Sequence, residues 1–280
     1  MAEGFNPVEF LMNGFAAGFE SGLTWKNAIQ GAFGDVLGRE AGSSQEFMDF
    51  RSYLPGDDLR RLDWNVYART DNLIVKMYQN EIRPHVDILL DFSKSMGLFE
   101  WKRQRLFYQA GFYAGASQKA GMSHAFWSID SGSQSQEQSG ELLKRSSYEQ
   151  WINNPETIPL FDGCRSMGEI LCSPNGMRNN SGNRILISDL LFPEDPATIA
   201  AAFRDTAPGR LIVEILAKEE LHPTISGNCR LIDCEMGNFY EYGVDKELLE
   251  EYEKKLSVHR DRWRQACRTY AISLISDLES

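Results

Sequence analysis

Asp91-Phe92-Ser93-Lys94-Ser95 follows a short apolar run, His85 to Leu90, and precedes a helical pattern. On such a turn the oxygens of Asp91, Ser93 and Ser95 converge on one spot. That spot lies outside the carboxyl end of a strand, where open α/β folds place their ligands. One carboxylate and two hydroxyls suit a hard cation such as Mg2+, which takes oxygen ligands in an octahedron and keeps several waters. Asp189 ends a second apolar run, Arg184 to Ile187. Two aspartates at the carboxyl ends of two strands can share a site, one in direct contact and one through water. The opposing reading makes both residues polar caps of strands or helix starts.

A second concentration of charge lies upstream, in Asp57, Asp58, Arg60, Arg61, Asp63 and Arg69. Pro55-Gly56 sets a tight turn ahead of it. These side chains are able to form several arginine–carboxylate forks. Either an ion-pair network locks this loop onto a sheet, or Asp57, Asp58, Arg60, Arg61 and Asp63 present a docking surface for a partner. Trp64 reads as a core anchor beside it.

Several chemistries lack their residues. There is no GxxxxGK[ST] loop to cradle a phosphate and no GxSxG nucleophile elbow. HExxH is absent, and His85, His124, His222 and His259 stand apart in the sequence. An Asp91 nucleophile of the phosphatase kind would want a second acid two residues on, where Ser93 stands.

The elements that must position these residues alternate in type. Residues 5–33 read as one or two short packing helices, with Phe5, Val8, Leu11, Phe15 and Phe19 at helical spacing. Phe47 to Tyr53 and Leu73 to Ile82 read as strands. His85 to Leu90, Ser123 to Ile129, Arg184 to Ile187, Leu211 to Leu216 and Tyr270 to Ile275 follow as further strands. Helices are expected over Glu100 to Ala120 (Trp101, Arg105, Tyr108, Phe112 and Ala116 at helical spacing), Leu142 to Trp151, Met167 to Leu171 and Pro196 to Arg204. Residues 229–244 read as a hairpin turning at Met236-Gly237-Asn238, and Asp245 caps a long helix to about Arg268. Strand–helix alternation predicts a doubly wound, mostly parallel sheet with helices on both faces. The expected organisation is an N-terminal helical and β extension over 1–83 and the α/β domain over 84–280.

Composition narrows the function. With 42% hydrophobic and 25% charged residues, the 280-residue chain has material for a sizeable core. A formal net charge of −11 argues against a nucleic-acid partner, whose phosphates need a basic surface. The five cysteines form no CxxC pair and read as free thiols of a reducing compartment. Without an expected signal segment or an apolar run of membrane-spanning length, the expected location is the cytoplasm.

The DxSxS run after a buried strand, with a later Asp after Ile187-Ser188, resembles the metal-ion-dependent adhesion site of von Willebrand factor A domains. Phe50 to Trp64, which contains Pro-Gly-Asp-Asp-Leu-Arg-Arg-Leu-Asp-Trp, and then Ala68-Arg69-Thr70, resembles the hallmark of the bacterial domain of unknown function fifty-eight. The hairpin with Asp233 and Gly237 and the Cys267-Arg268 pair extend the resemblance over most of the chain from residue 39. It implies a von Willebrand A-like fold, Mg2+ held by Asp91, Ser93, Ser95 and Asp189, and a MoxR-type AAA+ ATPase as partner in chaperone-like assembly or metal insertion on a protein client. Such sites add a threonine from an intervening loop; here the best register puts Arg165 there, with Ser166 adjacent. Ser166 would complete the metal site, whereas Arg165 would compete with the cation. The expectation is a non-enzymatic binding or adaptor protein. Two alternatives stay open, a structural scaffold with a degenerate metal site and an Asp-nucleophile phosphatase.

Overall fold

The computed structural model describes residues 5–23, 45–53, 62–80, 85–129, 143–163, 167–172, 183–204, 209–235 and 237–279. The chain divides into two compact units, one of Met1–Phe33 with Pro84–Ser280 and one of Gly34–Arg83.

The larger unit is built on α1 (Pro7–Glu20) and a six-stranded sheet. Its strands are β3 (His85–Leu90), β4 (Ser123–Ile129), β5 (Leu143–Ser146), β6 (Asn183–Ser188), β7 (Gly209–Leu216) and β10 (Ser273–Leu278). They lie in the order β10-β7-β6-β3-β4-β5. All neighbours are parallel except the edge pair β4 and β5. Continuous apolar runs make the three central strands buried on both faces, as parallel sheets require.

Side chains alternate between two cores. On one face Val86, Ile88, Leu90, Ile185 and Ile187 meet Leu106, Phe107 and Ala110 of α4 (Glu100–Lys119) and Trp151 of α5 (Tyr148–Asn153). On the other, Leu89, Leu186 and Ile212 meet Ile199 and Phe203 of α7 (Pro196–Arg204) and Trp263 and Ala266 of α9 (Lys246–Thr269). Three short helices complete the order: α3 (Lys94–Leu98) after β3, α6 (Met167–Cys172) before β6 and α8 (Lys218–Leu221) after β7. The architecture is α/β with a mostly parallel sheet and helices on both faces.

Helix α1 lies on α4 in close backbone contact. A Cβ on Gly14 or Gly18 would land on the carbonyl oxygen of Tyr108 or Phe112, and one on Gly111 or Gly115 on that of Leu11 or Phe15. Glycines four apart on both helices therefore let backbone meet backbone, and Phe10 and Phe15 of α1, with Phe5 just before it, pack against the core.

Two local expectations change in the larger unit. Leu142 to Trp151 is not one helix: Leu143 to Ser146 pairs antiparallel with β4, from Phe126↔Ser146 to Ile129↔Leu143. Helix begins only after Ser147, whose hydroxyl accepts from the Gln150 N–H at 3.1 Å. Filling a sheet edge outweighs the helix propensity of Leu-Leu-Lys-Arg. The buried face of α4 includes Lys102, Leu106, Ala110, Tyr113, Ala116 and Ser117. The last strand is Ser273–Leu278, three residues later than its sequence pattern suggests.

Residues 227–244 form the expected hairpin, β8 (Gly227–Ile232) against β9 (Phe239–Val244), with Gly237 at φ 74° in its turn. Asp245 caps α9 by accepting from the Leu248 N–H at 2.8 Å. Among the described residues Cys229, Cys234 and Cys267 are free thiols.

In the smaller unit β1 (Gln45–Ser52) pairs antiparallel with β2 (Ile74–Asn80). Asp63 caps α2 (Trp64–Thr70), its Oδ1 accepting from the N–H groups of Asn65 and Val66. Trp64 is 59% exposed and meets Tyr67 edge-on, so it is no core anchor; among the described residues of this unit Leu62 and Val75 are the buried apolar ones. Asp57, Asp58, Arg60 and Arg61 lie outside the described residues.

Candidate functional site

Sheet order reverses between β3 and β6: from β3 the chain goes to β4 on one side and returns to β6 on the other. This is the topological switch point, where the carboxyl ends of adjacent strands diverge and leave a crevice. Asp91 follows β3 and Asp189 follows β6, so the fold brings both expected aspartates to this place.

Asp91 is fully buried. Its Oδ1 accepts from the Ser93 N–H at 2.9 Å, an Asx turn that folds the Asp-Phe-Ser loop, and its Oδ2 accepts from the Ser188 hydroxyl at 2.6 Å. The Ser93 and Ser95 hydroxyls stand 3.0 Å apart. Burial and then the charge of Asp189 push the Asp91 carboxyl up to about 6, against the pull of the hydrogen bonds from Ser188 and Ser93. Among the described residues no cationic side chain pairs with Asp91.

Asp189 is held differently. Its Oδ1 accepts from the Leu191 N–H at 3.1 Å, and its Oδ2 accepts from the Lys102 ammonium at 2.8 Å. Lys102 has no exposed surface and donates a second bond, 2.7 Å long, to Glu220 Oε1. Burial works against the ammonium, but the charges of Asp189 and Glu220 outweigh it and raise the Lys102 pKa. Glu220 Oε2 accepts from the Ala217 N–H at 2.8 Å, and its backbone carbonyl accepts from the Tyr252 hydroxyl at 2.7 Å.

Between these groups, Leu190 takes φ 59°. A leucine in the left-handed region costs on the order of 1 kcal/mol or more, and such conformations cluster where function demands them. Its carbonyl is held by His259 Nε2 at 2.8 Å and by the Trp263 indole N–H at 3.1 Å, and its N–H donates to Ser188 at 3.0 Å. The hairpin reaches the start of α3: Glu235 accepts from the Ser95 N–H through Oε1 and from the Lys94 ammonium through its carbonyl, both at 2.9 Å.

Gly163 pairs with Ser93 in a single parallel bridge, its N–H donating to the Phe92 carbonyl at 3.2 Å. This docks the start of the intervening loop beside the Asp-Ser loop. Arg165 and Ser166 themselves lie outside the described residues. Asp63 belongs to the smaller unit, as the cap of α2.

The donor set available to a cation is the Asp91 carboxylate with the Ser93 and Ser95 hydroxyls, all oxygen, around a buried negative charge. That chemistry fits a hard divalent ion. Among the described residues no group of three or more His, Cys, Asp or Glu side chains is arranged to hold a metal ion.

Sequence reasoning missed Lys102, Ser188, Glu220 and Glu235. Only Lys102 carried a signal: it heads the stripe 102-106-110-113-117 on α4, and a lysine on a buried face demands a carboxylate partner.

Fold and site thus define an α/β protein with Asp91, Ser93, Ser95 and Asp189 gathered at the switch point of its sheet. Residues 49–112 match the family described as "Protein of unknown function DUF58", from within β1 to α4. The chain is also similar to uncharacterized proteins of Mycobacterium bovis and of two Mycobacterium tuberculosis strains, 25% identical in each case over 267 residues, 91% of this chain and 82% of theirs. No solved structure matches the chain significantly. Among the described residues no helix is long and apolar enough to cross a membrane.

Proposed function

We propose that this is a non-enzymatic, von Willebrand A-like binding protein of the cytoplasm. It docks an acidic side chain of a protein partner through a Mg2+ held by Asp91, Ser93 and Ser95, with Asp189 in outer contact. The observation that carries the reading is the buried Asp91 carboxylate, lacking a cationic partner among the described residues, beside two hydroxyls 3.0 Å apart at the sheet's switch point. A six-stranded sheet, parallel but for one edge, with helices on both faces, is compatible with the von Willebrand A-like assignment. Bound there, the ion would supply a positive charge with an open position. On a chain of net charge −11, that is what lets a partner's carboxylate approach.

The resemblance of the Pro-Gly-Asp-Asp segment makes a MoxR-type AAA+ ATPase the candidate partner, with this chain coupling ATP-driven changes to a protein client. Capture of that ATPase by the purified protein should succeed in Mg2+ and fail in EDTA and with Asp91→Ala. Equal retention in all three conditions would remove the crevice as docking site and leave Asp57, Asp58, Arg60 and Arg61 as the next residues to change. The same protein should hydrolyse neither nucleotides nor phosphate esters. Turnover lost in Asp91→Asn would establish the phosphatase reading instead.

A further inference from the structure

The geometry points to Lys102 as the residue that limits how many carboxylates a cation beside Asp91 can reach: it engages Asp189 and Glu220 and withholds both from the ion. This inference rests on the cation-site reading above.

An ammonium with no exposed surface has lost its hydration, and only close carboxylates make that tolerable. Lys102 has two, at 2.8 and 2.7 Å. Each of these carboxylates spends one oxygen on the ammonium and the other on a backbone N–H, of Leu191 or of Ala217. Asp189 is therefore tied back toward α4 although it stands close enough to Asp91 to raise its pKa. Affinity for a hard divalent ion rises with the number of charged ligands. The buried ammonium lowers it twice over, by withholding Asp189 and by adding like charge. Lys102 thereby keeps the site weak and open, with positions left for a partner's carboxylate.

A lysine serving only to join α4 to the segments after β6 and β7 would behave differently. Its loss would weaken the fold and leave cation affinity unchanged or lower. Lys102→Met keeps the length of the stem and removes the charge, so the two roles separate.

The test is Mn2+ binding to the full-length protein, read from the free-ion electron paramagnetic resonance signal, with melting temperature measured in parallel. Lys102→Met should bind Mn2+ at least tenfold more tightly than the parent, melt lower in EDTA, and regain more stability from Mn2+ than the parent does. Lys102→Met/Asp189→Asn should lose the gain in affinity, because Asp189 is the carboxylate released. Should Lys102→Met not fold, Asp189→Asn alone decides. A loss of no more than severalfold supports the inference, and a loss as complete as that of Asp91→Ala overturns it, since Asp189 would then be a direct ligand despite Lys102.

Unchanged or weaker binding by Lys102→Met overturns the inference while leaving the cation site standing. Binding by Lys102→Met with none by the parent supports it and removes the proposed function. Absence of binding in both removes both.

Discussion

Asp87→Ala should destabilise the protein by about 3–5 kcal/mol in urea unfolding at neutral pH, the cost of stripping one partner from a buried ion pair. Asp87 sits within β3 and is 5% exposed; the neighbouring Arg184 of β6 is fully buried. Its Oδ1 accepts from the Trp127 indole N–H at 2.6 Å and lies 3.1 Å from His85 Nε2, while Oδ2 accepts from Arg184 at 3.3 Å. Truncation leaves a guanidinium and an indole N–H facing the gap. The effect carries a pH signature. Burial alone would raise the Asp87 pKa, but hydrogen bonds from His85 and Trp127 and the charge of Arg184 reverse it, holding the carboxyl below its ordinary 3.8. A folded-state pKa below the unfolded value means that the carboxylate's contribution is complete above 3.8 and is lost as pH falls through the folded value. The variant's deficit should therefore shrink at acid pH. A deficit under about 1 kcal/mol, or one independent of pH down to the acid limb, would show that Arg184 does not depend on this pair.

Gly18→Val should cost about 3 kcal/mol, the upper end of what overpacking imposes, because what the new side chain meets is backbone and not a side chain able to rotate away. The Phe112 carbonyl of α4 occupies the place its Cβ would take. Helix α1 must then lift from α4, uncovering Phe5, Phe10 and Phe15 from the core they now pack against. Limited proteolysis should cut the N-terminal segment first in the variant. Met12→Ala on the same helix is the control: Met12 is half-exposed, and its loss should change stability by less than about 0.5 kcal/mol. Equal stability of Gly18→Val and the parent would mean that the two helices do not need this contact.

What the sequence disclosed follows from the range of the interactions involved. Central strands are apolar on both faces, so His85 to Leu90, Arg184 to Ile187 and Leu211 to Leu216 were readable from local pattern, and with them the placement of Asp91 and Asp189 at strand ends. The hairpin was legible from its turn, and α9 from Asp245 and its long stripe. The edge strand Leu143–Ser146 was not, because its state is decided by β4 next to it rather than by its own residues. Trp64 misled because residue type is only a prior on burial. The tie of Lys102 to Asp189 and Glu220 spans 87 and 118 residues, and no local window holds such a pairing. The sequence suggested Arg165 as a cation competing for the site; Lys102, on the buried face of α4, is a cation whose contacts with Asp189 and Glu220 are in view.

The claim on which the rest depends is that Asp91, Ser93 and Ser95 hold a divalent cation, and thermal unfolding in Mg2+ against EDTA tests it most directly. An ion that binds the folded protein alone adds about 2.7 kcal/mol at a hundredfold excess over its dissociation constant. The parent protein should melt higher as Mg2+ is raised, and Asp91→Ala should melt at one temperature throughout while remaining folded. Superimposable melting curves of the parent with and without Mg2+ would contradict the claim.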